Sequence, residues 1–411
     1  MDVGRELDKM KRRAAAGPDG IGVDLLWHIR ARGDGVLADI ANSVVRGDGE
    51  GHGWDRSLLA LLPKIAQPGG PGDLRPIAVS SAMLKLVVRL IMHRCFPLLR
   101  LPSSVSACGK QRQAADLLGV TTRLRDVSRE WRIPLLVAKL DVSGAFDNIR
   151  TRAVAEHLVQ GLWGCPVELR FLLQQLGENV LDGVAPGGER LVVHANKGIR
   201  QGSPESAEIF GMLMTLAVEE ATADARWLAF RGALADLPVA VVVYQDDVFL
   251  WDSDPQALEQ KIHIIAEKIA QLGLSSPTKT AVAASGAYAG RRQLDVMGQR
   301  VVVGDSIRVL GVNLDFKGSS RGQAAEMLQR AHNAAWAHDE LLRGQGSRAA
   351  KAAMVRSLVE GTFTWGAGAL HWPQEQLQKA NTVQLQVLRR AFRMGRQRGG
   401  GLGGLERTHA S

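Results

Sequence analysis

Short apolar runs that end in acidic residues are the strongest pattern along this chain. The runs and the acids beside them are Leu135–Leu140 followed by Asp141, and Pro238–Tyr244 and Val248–Trp251 on either side of Asp246 and Asp247. Apolar runs of this length, bounded by polar residues, are typical of buried strands. The pattern therefore predicts a strand that ends at Asp141 and a β-hairpin that carries Asp246 and Asp247 at its turn.

Helical spacing of apolar residues predicts helices around these strands. One helix is expected over 151–163, and a second begins at Asp254 and Pro255 and ends at Gly273. Ser203 and Pro204 predict a third helix, because serine caps a helix and proline suits its first position. Between the first and third helices, 180–193 alternates as a β-hairpin does. The predicted order of strand, helix, hairpin, helix and strand is that of a ferredoxin-like fold.

The C-terminal quarter has a helical pattern without strands. Helices are expected over 319–343, 347–360 and 374–395, and the glycine-rich stretch after residue 396 predicts a disordered tail. The chain is thus expected to be a mixed α/β (α+β) body followed by a helical region.

Composition adds a limited constraint. The chain has 411 residues, is 45% hydrophobic and carries a net charge of +9, which suits a polyanionic partner. No apolar stretch reaches membrane-span length and no signal-peptide region is present, so an intracellular protein without a membrane partner is expected. The three cysteines, Cys95, Cys108 and Cys165, are too widely spaced for a disulfide framework or a Cys-x-x-Cys zinc site.

The three acids predict a metal site. Adjacent carboxylates repel each other, and a divalent cation such as Mg²⁺ would compensate their charge. If both strands end at one sheet edge, Asp141 joins Asp246 and Asp247, and three carboxylates are enough to hold two ions for phosphoryl transfer. The alternative is that Asp246 and Asp247 form only a solvated hairpin turn.

Seven ordered motifs resemble those of reverse transcriptases, with the closest similarity to the enzymes of non-LTR retrotransposons and group II introns. Residues 140–149 resemble motif A, and 244–247 resemble the YADD box of motif C, with Gln245 in place of alanine. The other segments are 15–21 for the N-terminal motif, 61–64 with 74–77 for the fingers, 197–204 for motif B, 274–280 for motif D and 309–312 for motif E. Together they span about three quarters of the chain.

The resemblance implies a right-hand polymerase fold. Residues 1–133 would form the fingers with part of the palm, 134–316 a ferredoxin-like palm, 317–396 a thumb-like helical region and 397–411 the tail. It also implies an RNA-directed DNA polymerase of a retroelement, which extends the 3′-hydroxyl of a primer with dNTPs on an RNA template and holds the RNA–DNA duplex. No protein partner is indicated.

Site residues follow from the same resemblance. Asp141, Asp246 and Asp247 are expected to be the catalytic acids and, with the carbonyl of Val142, to hold two Mg²⁺ ions that Mn²⁺ can replace. Nucleotide binding is expected at Lys64, Arg75, Phe146, Gln201, Gly202 and Lys279, with Phe146 as a steric gate against ribonucleotides, and the primer grip at Leu310 and Gly311. Asp147 lies beyond the strand end, so a helix-capping or solvated role is expected.

Three alternatives share parts of this pattern. An RNA-dependent RNA polymerase uses similar acids but has a small or polar residue in place of the gate. A decayed retroelement protein would bind nucleic acid without polymerising it. A two-metal nuclease would leave Lys64, Arg75 and Gln201 unexplained.

Overall fold

The structure is a computed structural model that describes residues 2–48, 54–99, 103–108, 112–142, 144–177, 179–230, 240–275, 279–318 and 320–394. The predictions for Pro238, Val239 and the tail 397–411 lie outside these ranges. Among the helices within them, none combines the length and the apolar character that a bilayer span requires.

The secondary structure is mixed throughout. The helices are α1 Asp2–Asp8, α2 Val23–Arg30, α3 Asp34–Arg46, α4 Ala82–Leu99, α5 Ala114–Trp131, α6 Ala145–Asn148, α7 Thr151–Leu162, α8 Pro166–Gly177, α9 Ser206–Thr222, α10 Ala225–Leu228, α11 Pro255–Gln271, α12 Arg321–Ala337, α13 Asp339–Arg343, α14 Arg348–Val355, α15 Gly361–Ala367 and α16 Gln374–Ala391. A 3₁₀ turn spans Pro71–Asp73, and a π-helical segment spans Arg356–Glu360 between α14 and α15.

The strands are β1 Arg56–Pro63, β2 Leu74–Val79, β3 Leu136–Asp141, β4 Val180–Val184, β5 Arg190–His194, β6 Val241–Tyr244, β7 Asp247–Asp252, β8 Ala281–Ala284, β9 Gln293–Val296, β10 Gln299–Gly304, β11 Ser306–Val309 and β12 Val312–Asp315. They form a four-stranded sheet of order β2-β1-β4-β5, a six-stranded sheet of order β6-β7-β3-β8-β10-β9, and the hairpin β11-β12.

The chain divides into two compact units. The first comprises Met1–Arg112, Leu136–Val282 and Gly290–Val303, and the second comprises Gln113–Leu135, Ala283–Ala289 and Gly304–Ser411. The helix α5 thus belongs with the C-terminal helices, although it precedes β3 in the chain. The assignment of fingers, palm and thumb boundaries by residue number stays a prediction.

Strand pairing in the first unit brings the predicted acids to one sheet edge. Strand β7 pairs antiparallel with β3, where Asp141 lies opposite Asp247, and with β6, where Tyr244 lies opposite Asp247. Residues 136–138 and 248–250 are all fully buried, so both faces of these strands are covered. The near-continuous apolar runs of the sequence follow from this two-sided burial.

Most of the elements predicted near the site are confirmed. The helix over 151–163, the hairpin over 180–193 and the helix after Asp254 are present as α7, β4-β5 and α11. The Asp254 side chain accepts the amides of Gln256 and Ala257, and Gly273 adopts φ +84° after the last turn. Hairpin β4-β5, however, joins β1 in the four-stranded sheet.

Two helix predictions are corrected. Ser203 does not cap a helix: α9 begins at Ser206, and Ser203 lies buried in a turn in which its amide donates to the carbonyl of Arg200. In the C-terminal region, the helix expected over 319–343 is divided into α12 and α13 at His338, and α15 was not predicted.

Candidate active site

The acid cluster is built by the β6-β7 hairpin and the end of β3. Two residues, Gln245 and Asp246, form the hairpin turn, and Asp247 is the first residue of β7. The amide of Val142 donates to the carbonyl of Asp246 at 3.3 Å, which joins the end of β3 to the turn. The expectation that the acids meet at one edge is therefore confirmed, although Asp247 lies on the strand and not in the turn.

Lys139 is the cation of this cluster. Its ammonium lies 2.8 Å from Asp247 Oδ1. Both side chains are largely buried, with 21% of Lys139 and 13% of Asp247 exposed to solvent. Side chains alternate along a strand, so Lys139 and Asp141 share the sheet face on which Asp247 lies. Lys139 was not predicted to be a site residue, because a lysine within an apolar run has no distinguishing pattern.

Two of the acids have raised pKa values. Partial burial raises the pKa of Asp246, the negative charge of Asp141 raises it further, and the positive charges of Lys139 and Arg75 lower it. Burial also raises the pKa of Asp247, while its bond to Lys139 acts in the opposite direction. A cluster whose charged form is disfavoured by desolvation and mutual repulsion is suited to a divalent cation.

The hairpin turn is held by a cysteine sulfur. Gln245 has φ +54°, a left-handed conformation that is rare for residues other than glycine, and its amide donates to Cys108 Sγ at 3.0 Å. The backbone of the turn is thereby fixed on the side away from β3. Gln245 is the residue that departs from the common alanine, and Cys108 was not predicted to lie near the acids.

The predicted nucleotide-binding cations flank the β1-β2 hairpin. Lys64 follows β1, and its amide donates to the carbonyl of Asp73 at 2.7 Å, while its ammonium donates to the carbonyl of Gly72 at 2.9 Å. Arg75 is exposed on β2, opposite Leu62. The charge of Arg75 acts on Asp246 and that of Lys64 acts on Asp147, so the hairpin places positive charge beside the acids.

The motif B segment is fastened to two neighbouring elements. The amide of Gly198 donates to the carbonyl of Ile149, the amide of Ile199 donates to the carbonyl of Phe146, and the carbonyl of Gln201 accepts the amide of Ala78 on β2. Gly202 has φ +112°, and a Cβ there would lie 2.6 Å from the carbonyl oxygen of Ala78. Glycine is therefore required at position 202.

Asp147 has a defined partner. Its side chain accepts a hydrogen bond of 3.0 Å from Gln201 Nε2, and it lies in the first turn of α6, which Gly144 precedes as N-cap. Partial desolvation raises its pKa, and Gln201, Lys64 and Lys197 lower it. Asp147 is thus exposed and near a helix start, as expected, but it does not cap the helix. Lys197, which donates to Asn148 Oδ1 at 2.9 Å, is a cation that the sequence analysis did not single out.

Phe146 is held by an aromatic contact. Its ring stacks on that of Phe210, which is fully buried in α9, with ring centroids 4.8 Å apart and an interplanar angle of 28°. Phe146 itself remains partly exposed, between the acid-bearing end of β3 and the motif B segment. This placement agrees with a wall beside the site, whereas its role as a sugar gate stays a prediction.

The remaining predicted residues lie elsewhere. Lys279 is exposed on the segment before β8, and within the described ranges no hydrogen bond joins its side chain to the acids; the neighbouring Thr278 lies outside the described residues. Leu310 and Gly311 form the turn of β11-β12 in the second unit, with φ +44° and +89°. The guanidinium of Arg330 donates to the carbonyl of Gly311.

The donor set is of the oxygen type that a hard divalent cation prefers, although the three carboxylates do not all lie within 4.8 Å of one another among the described residues. Asp141, Asp246 and Asp247 supply carboxylate oxygens at one sheet edge, and Asp246 and Asp247 are partly desolvated. Lys139 pairs with Asp247 and the charge of Arg75 acts on Asp246, so two cations face three carboxylates. The excess of negative charge is what a hard cation such as Mg²⁺ or Mn²⁺ would compensate.

The chain is similar in sequence to several known proteins. Residues 63–314, more than half of the chain, match the family model described as reverse transcriptase (RNA-dependent DNA polymerase). The chain is 24% identical over 246 residues to the Retrovirus-related Pol polyprotein from type-1 retrotransposable element R2 of Popillia japonica, over 58% of this chain and 33% of that protein. It is 25% identical over 211 residues to the type-2 element R2DM protein of Drosophila melanogaster, over 49% of this chain and 19% of that protein.

Among solved structures, apo telomerase from Candida tropicalis matches with a TM-score of 0.44 and 12% identity, over 84% of this chain and 63% of that one. The chain spans a third or less of the length of the R2 proteins named above. The family match begins at the last residue of β1 and includes Lys64, Arg75, the acid cluster and the motif B segment. This chain therefore belongs to the reverse transcriptase (RNA-dependent DNA polymerase) family.

Proposed function

We propose that the chain is the RNA-directed DNA polymerase core of a retroelement protein, which extends a primer 3′-hydroxyl with dNTPs on an RNA template. The observation that carries this proposal is the convergence of Asp141, Asp246 and Asp247 at one sheet edge, with the charge of Arg75 acting on Asp246. Acids beside cations fit a nucleoside triphosphate, because its phosphates bind both metal ions and Arg or Lys.

We further propose that Asp141, Asp246, Asp247 and the carbonyl of Val142 hold two Mg²⁺ ions, for which Mn²⁺ can substitute. Bound there, the ions would lower the pKa of the primer hydroxyl and stabilise the charge on the leaving pyrophosphate. Lys139 orients Asp247 through its 2.8 Å ion pair and limits repulsion among the acids. The Cys108 bond to the Gln245 amide fixes the turn that carries Asp246.

The nucleotide would be bound by residues on two sides of the acids. Arg75 and Lys64 on the β1-β2 hairpin would contact the triphosphate. Gln201, braced by Asp147 and by the carbonyl bond to Ala78, would contact the base pair beside Gly202. Phe146 would lie beneath the sugar, and Lys279 would approach the leaving group. An RNA template, a primer and the RNA–DNA duplex are the partners that this function requires.

Primer extension on poly(rA)/oligo(dT) with Mg²⁺ or Mn²⁺ tests the function. Wild-type protein should incorporate dTTP, and Asp141→Asn or Asp246→Asn should reduce the rate by roughly 10³-fold or more, because each change removes a metal ligand worth several kcal/mol in the transition state. Asp39→Asn, a change at an exposed acid on α3, is the matched control and should retain full activity.

Two outcomes would contradict the proposal. Folded wild-type protein that binds the duplex and extends no primer would indicate a protein that only binds nucleic acid. Near-normal extension by both variants would show that the acids of this cluster do not hold the catalytic ions.

A further inference from the structure

Two of the three cysteines meet in the first unit of the chain. Cys95 lies in α4 and Cys165 immediately precedes α8, seventy residues later in the chain. Glu168, in the first turn of α8, completes a group whose ligand atoms all lie within 4.8 Å of one another. The wide spacing in the chain, which excludes a Cys-x-x-Cys motif, therefore does not keep these two cysteines apart in the fold.

The corner between α4 and the α7-α8 turn holds these residues close together. A Cβ at Gly161 in α7 would lie 2.2 Å from Leu99 Cδ2, so α4 and α7 pack more closely here than a side chain would allow. The amide of Cys165 donates to the carbonyl of Leu162 at 2.8 Å, and the Cys165 carbonyl accepts the amide of Leu169 at 2.9 Å. Backbone bonds thus fix Cys165 at the position facing α4.

The environment differs among the three ligands. Cys95 is fully buried, whereas Cys165 and Glu168 are partly buried, so the group lies at the edge of the core and within reach of solvent. Glu168 Oε1 lies 3.5 Å from Arg94 Nη1, and the Arg94 side chain is 77% exposed while that of Glu168 is 15% exposed. An exposed arginine side chain can move away when a cation replaces it.

The chemistry of the group selects a particular class of ion. Two sulfur atoms and one carboxylate oxygen suit a thiophilic divalent cation such as Zn²⁺, which binds four ligands in a tetrahedron. Three protein ligands leave the fourth position for water. Mg²⁺, which prefers oxygen, is poorly matched to this group.

We propose that Cys95, Cys165 and Glu168 form a binding site for a thiophilic divalent cation, Zn²⁺ above all, that ties α4 to the start of α8. Both thiols bind as thiolates, and their protons pass to solvent buffer as the ion enters. Burial and the hydrogen bond with Cys165 raise the pKa of the Cys95 thiol. No change in oxidation state is required.

Titration of the reduced, untagged full chain with Co²⁺ tests the site. Thiolate ligands give Co²⁺ an intense sulfur-to-metal charge-transfer absorption, which carboxylate ligation at Asp141, Asp246 and Asp247 does not produce. We expect one Co²⁺ with this absorption per chain, displaced by one equivalent of Zn²⁺. Zn²⁺ should also raise the thermal unfolding midpoint, because it binds only the folded corner.

Three variants and one control separate this site from other thiols. Loss of a group that merely supports a ligand costs about 10- to 100-fold in metal affinity, so Cys95→Ser, Cys165→Ser and Glu168→Gln should each cost at least about tenfold. Cys108→Ser is the matched control, because it removes the remaining cysteine and leaves the three ligands in place. Cys165→Ser keeps a good capping residue before α8, so it and Glu168→Gln test the site even if Cys95→Ser fails to fold.

The proposal is overturned if the reduced wild-type protein shows no charge-transfer absorption, or if Cys108→Ser abolishes it while Cys165→Ser does not. A third contrary result is a protein that loses two hydrogens in mass under non-reducing conditions and binds no Co²⁺ after reduction. That result would assign the pair as a disulfide. Retained affinity in Glu168→Gln with loss in both cysteine variants would remove the carboxylate from the site and contradict the three-ligand proposal.

Discussion

At the scale of single residues, the arrangement of the acid cluster lowers the free energy of unfolding of the metal-free protein. Desolvation raises the pKa of Asp246 and of Asp247, repulsion by Asp141 raises both further, and repulsion by Asp246 also raises that of Asp247. Such an arrangement weakens the metal-free protein at neutral pH and strengthens its response to cations. Stability and metal affinity are therefore in opposition at these positions.

Asp246→Asn is expected to raise the thermal unfolding midpoint of the metal-free protein at pH 7, on the order of 1–3 °C. The folded-state pKa of Asp246 lies above its unfolded value, so this carboxyl favours folding while protonated and loses that contribution as the pH rises through the folded-state pKa. Asparagine does not ionise, so the variant does not lose this stability as the pH rises.

This gain in the unfolding midpoint should disappear below the ordinary pKa of aspartate, where residue 246 of the wild type is protonated in both the folded and the unfolded protein. Added Mg²⁺ should raise the midpoint of wild type more than that of the variant. Thermal melts over a pH series, with and without EDTA, measure both effects, and Asp39→Asn is the exposed control. A lower midpoint for Asp246→Asn without metal at pH 7 would contradict this electrostatic account.

Phe146→Val is expected to increase the use of ribonucleotides relative to deoxynucleotides. The ring stacks on buried Phe210 at 4.8 Å and cannot yield freely to a 2′-hydroxyl. Valine should raise the ratio of kcat/KM for GTP to that for dGTP by about 10-fold or more, since steric discrimination of one small group is worth about 1–3 kcal/mol.

Single-nucleotide extension with both substrates measures this ratio. Phe171→Val, a change of the same size in α8, is the control for general loss of packing and should leave the ratio unchanged. If both rates fall together for Phe146→Val, Phe146 is a packing residue alone. Free use of GTP by wild type would instead favour an RNA polymerase.

At the scale of elements, the motif B segment depends on close backbone contacts. Gly202→Ala is expected to raise KM for dNTP, because the new Cβ would meet the Ala78 carbonyl at 2.6 Å and displace Gln201. Gly188→Ala is the matched control: Gly188 also has a positive φ, +89°, but nothing lies within 4 Å of its Cβ position.

Both alanine variants should lose about 1–3 kcal/mol of stability from the left-handed backbone. Only Gly202→Ala should also change KM, which steady-state dNTP titrations measure. Equal KM values for the two variants would show that the contact between Gly202 and Ala78 does not position Gln201.

How far the sequence predicted these elements depended on how local their causes are. The α11 start was predictable, because Asp254 caps its own helix through amides two and three residues ahead. The α9 start was not, because the contact of Gly202 with β2 keeps the chain in a turn through Ser203. The ion pair of Lys139 with Asp247 and the contact of Cys95 with Cys165 join segments that are far apart in the chain. A local sequence pattern carries no information about such contacts.

At the scale of the whole molecule, the order of elements in the chain differs from their grouping in space. The acids were predictable because carboxylates bound the apolar runs of both strands at one sheet edge. The placement of α5 was not, since its amphipathic pattern is the same whichever elements cover it. In the second unit its Arg125, 1% exposed, donates to Gln323 Oε1 at 2.9 Å.

Removal of residues 304–411 is therefore expected to damage more than the C-terminal helices. It would expose Leu118 and Arg125 of α5, which are buried in the second unit, where Leu118 Cδ2 lies 3.0 Å from the Cβ position of Gly366. Arg125 would keep its ion pair with Asp126 but lose its bond to Gln323, and with the uncovered leucine this loss costs about 2–5 kcal/mol. The chain ending at Val303 should thus unfold at a lower temperature and lose cooperativity, as calorimetry would measure.

A chain ending at Met394, which keeps α12–α16 and the contacts to α5, is the control and should melt like the full chain. If the shorter chain melts cooperatively at the wild-type temperature, α5 does not depend on the C-terminal helices and the second unit is not a single cooperative body.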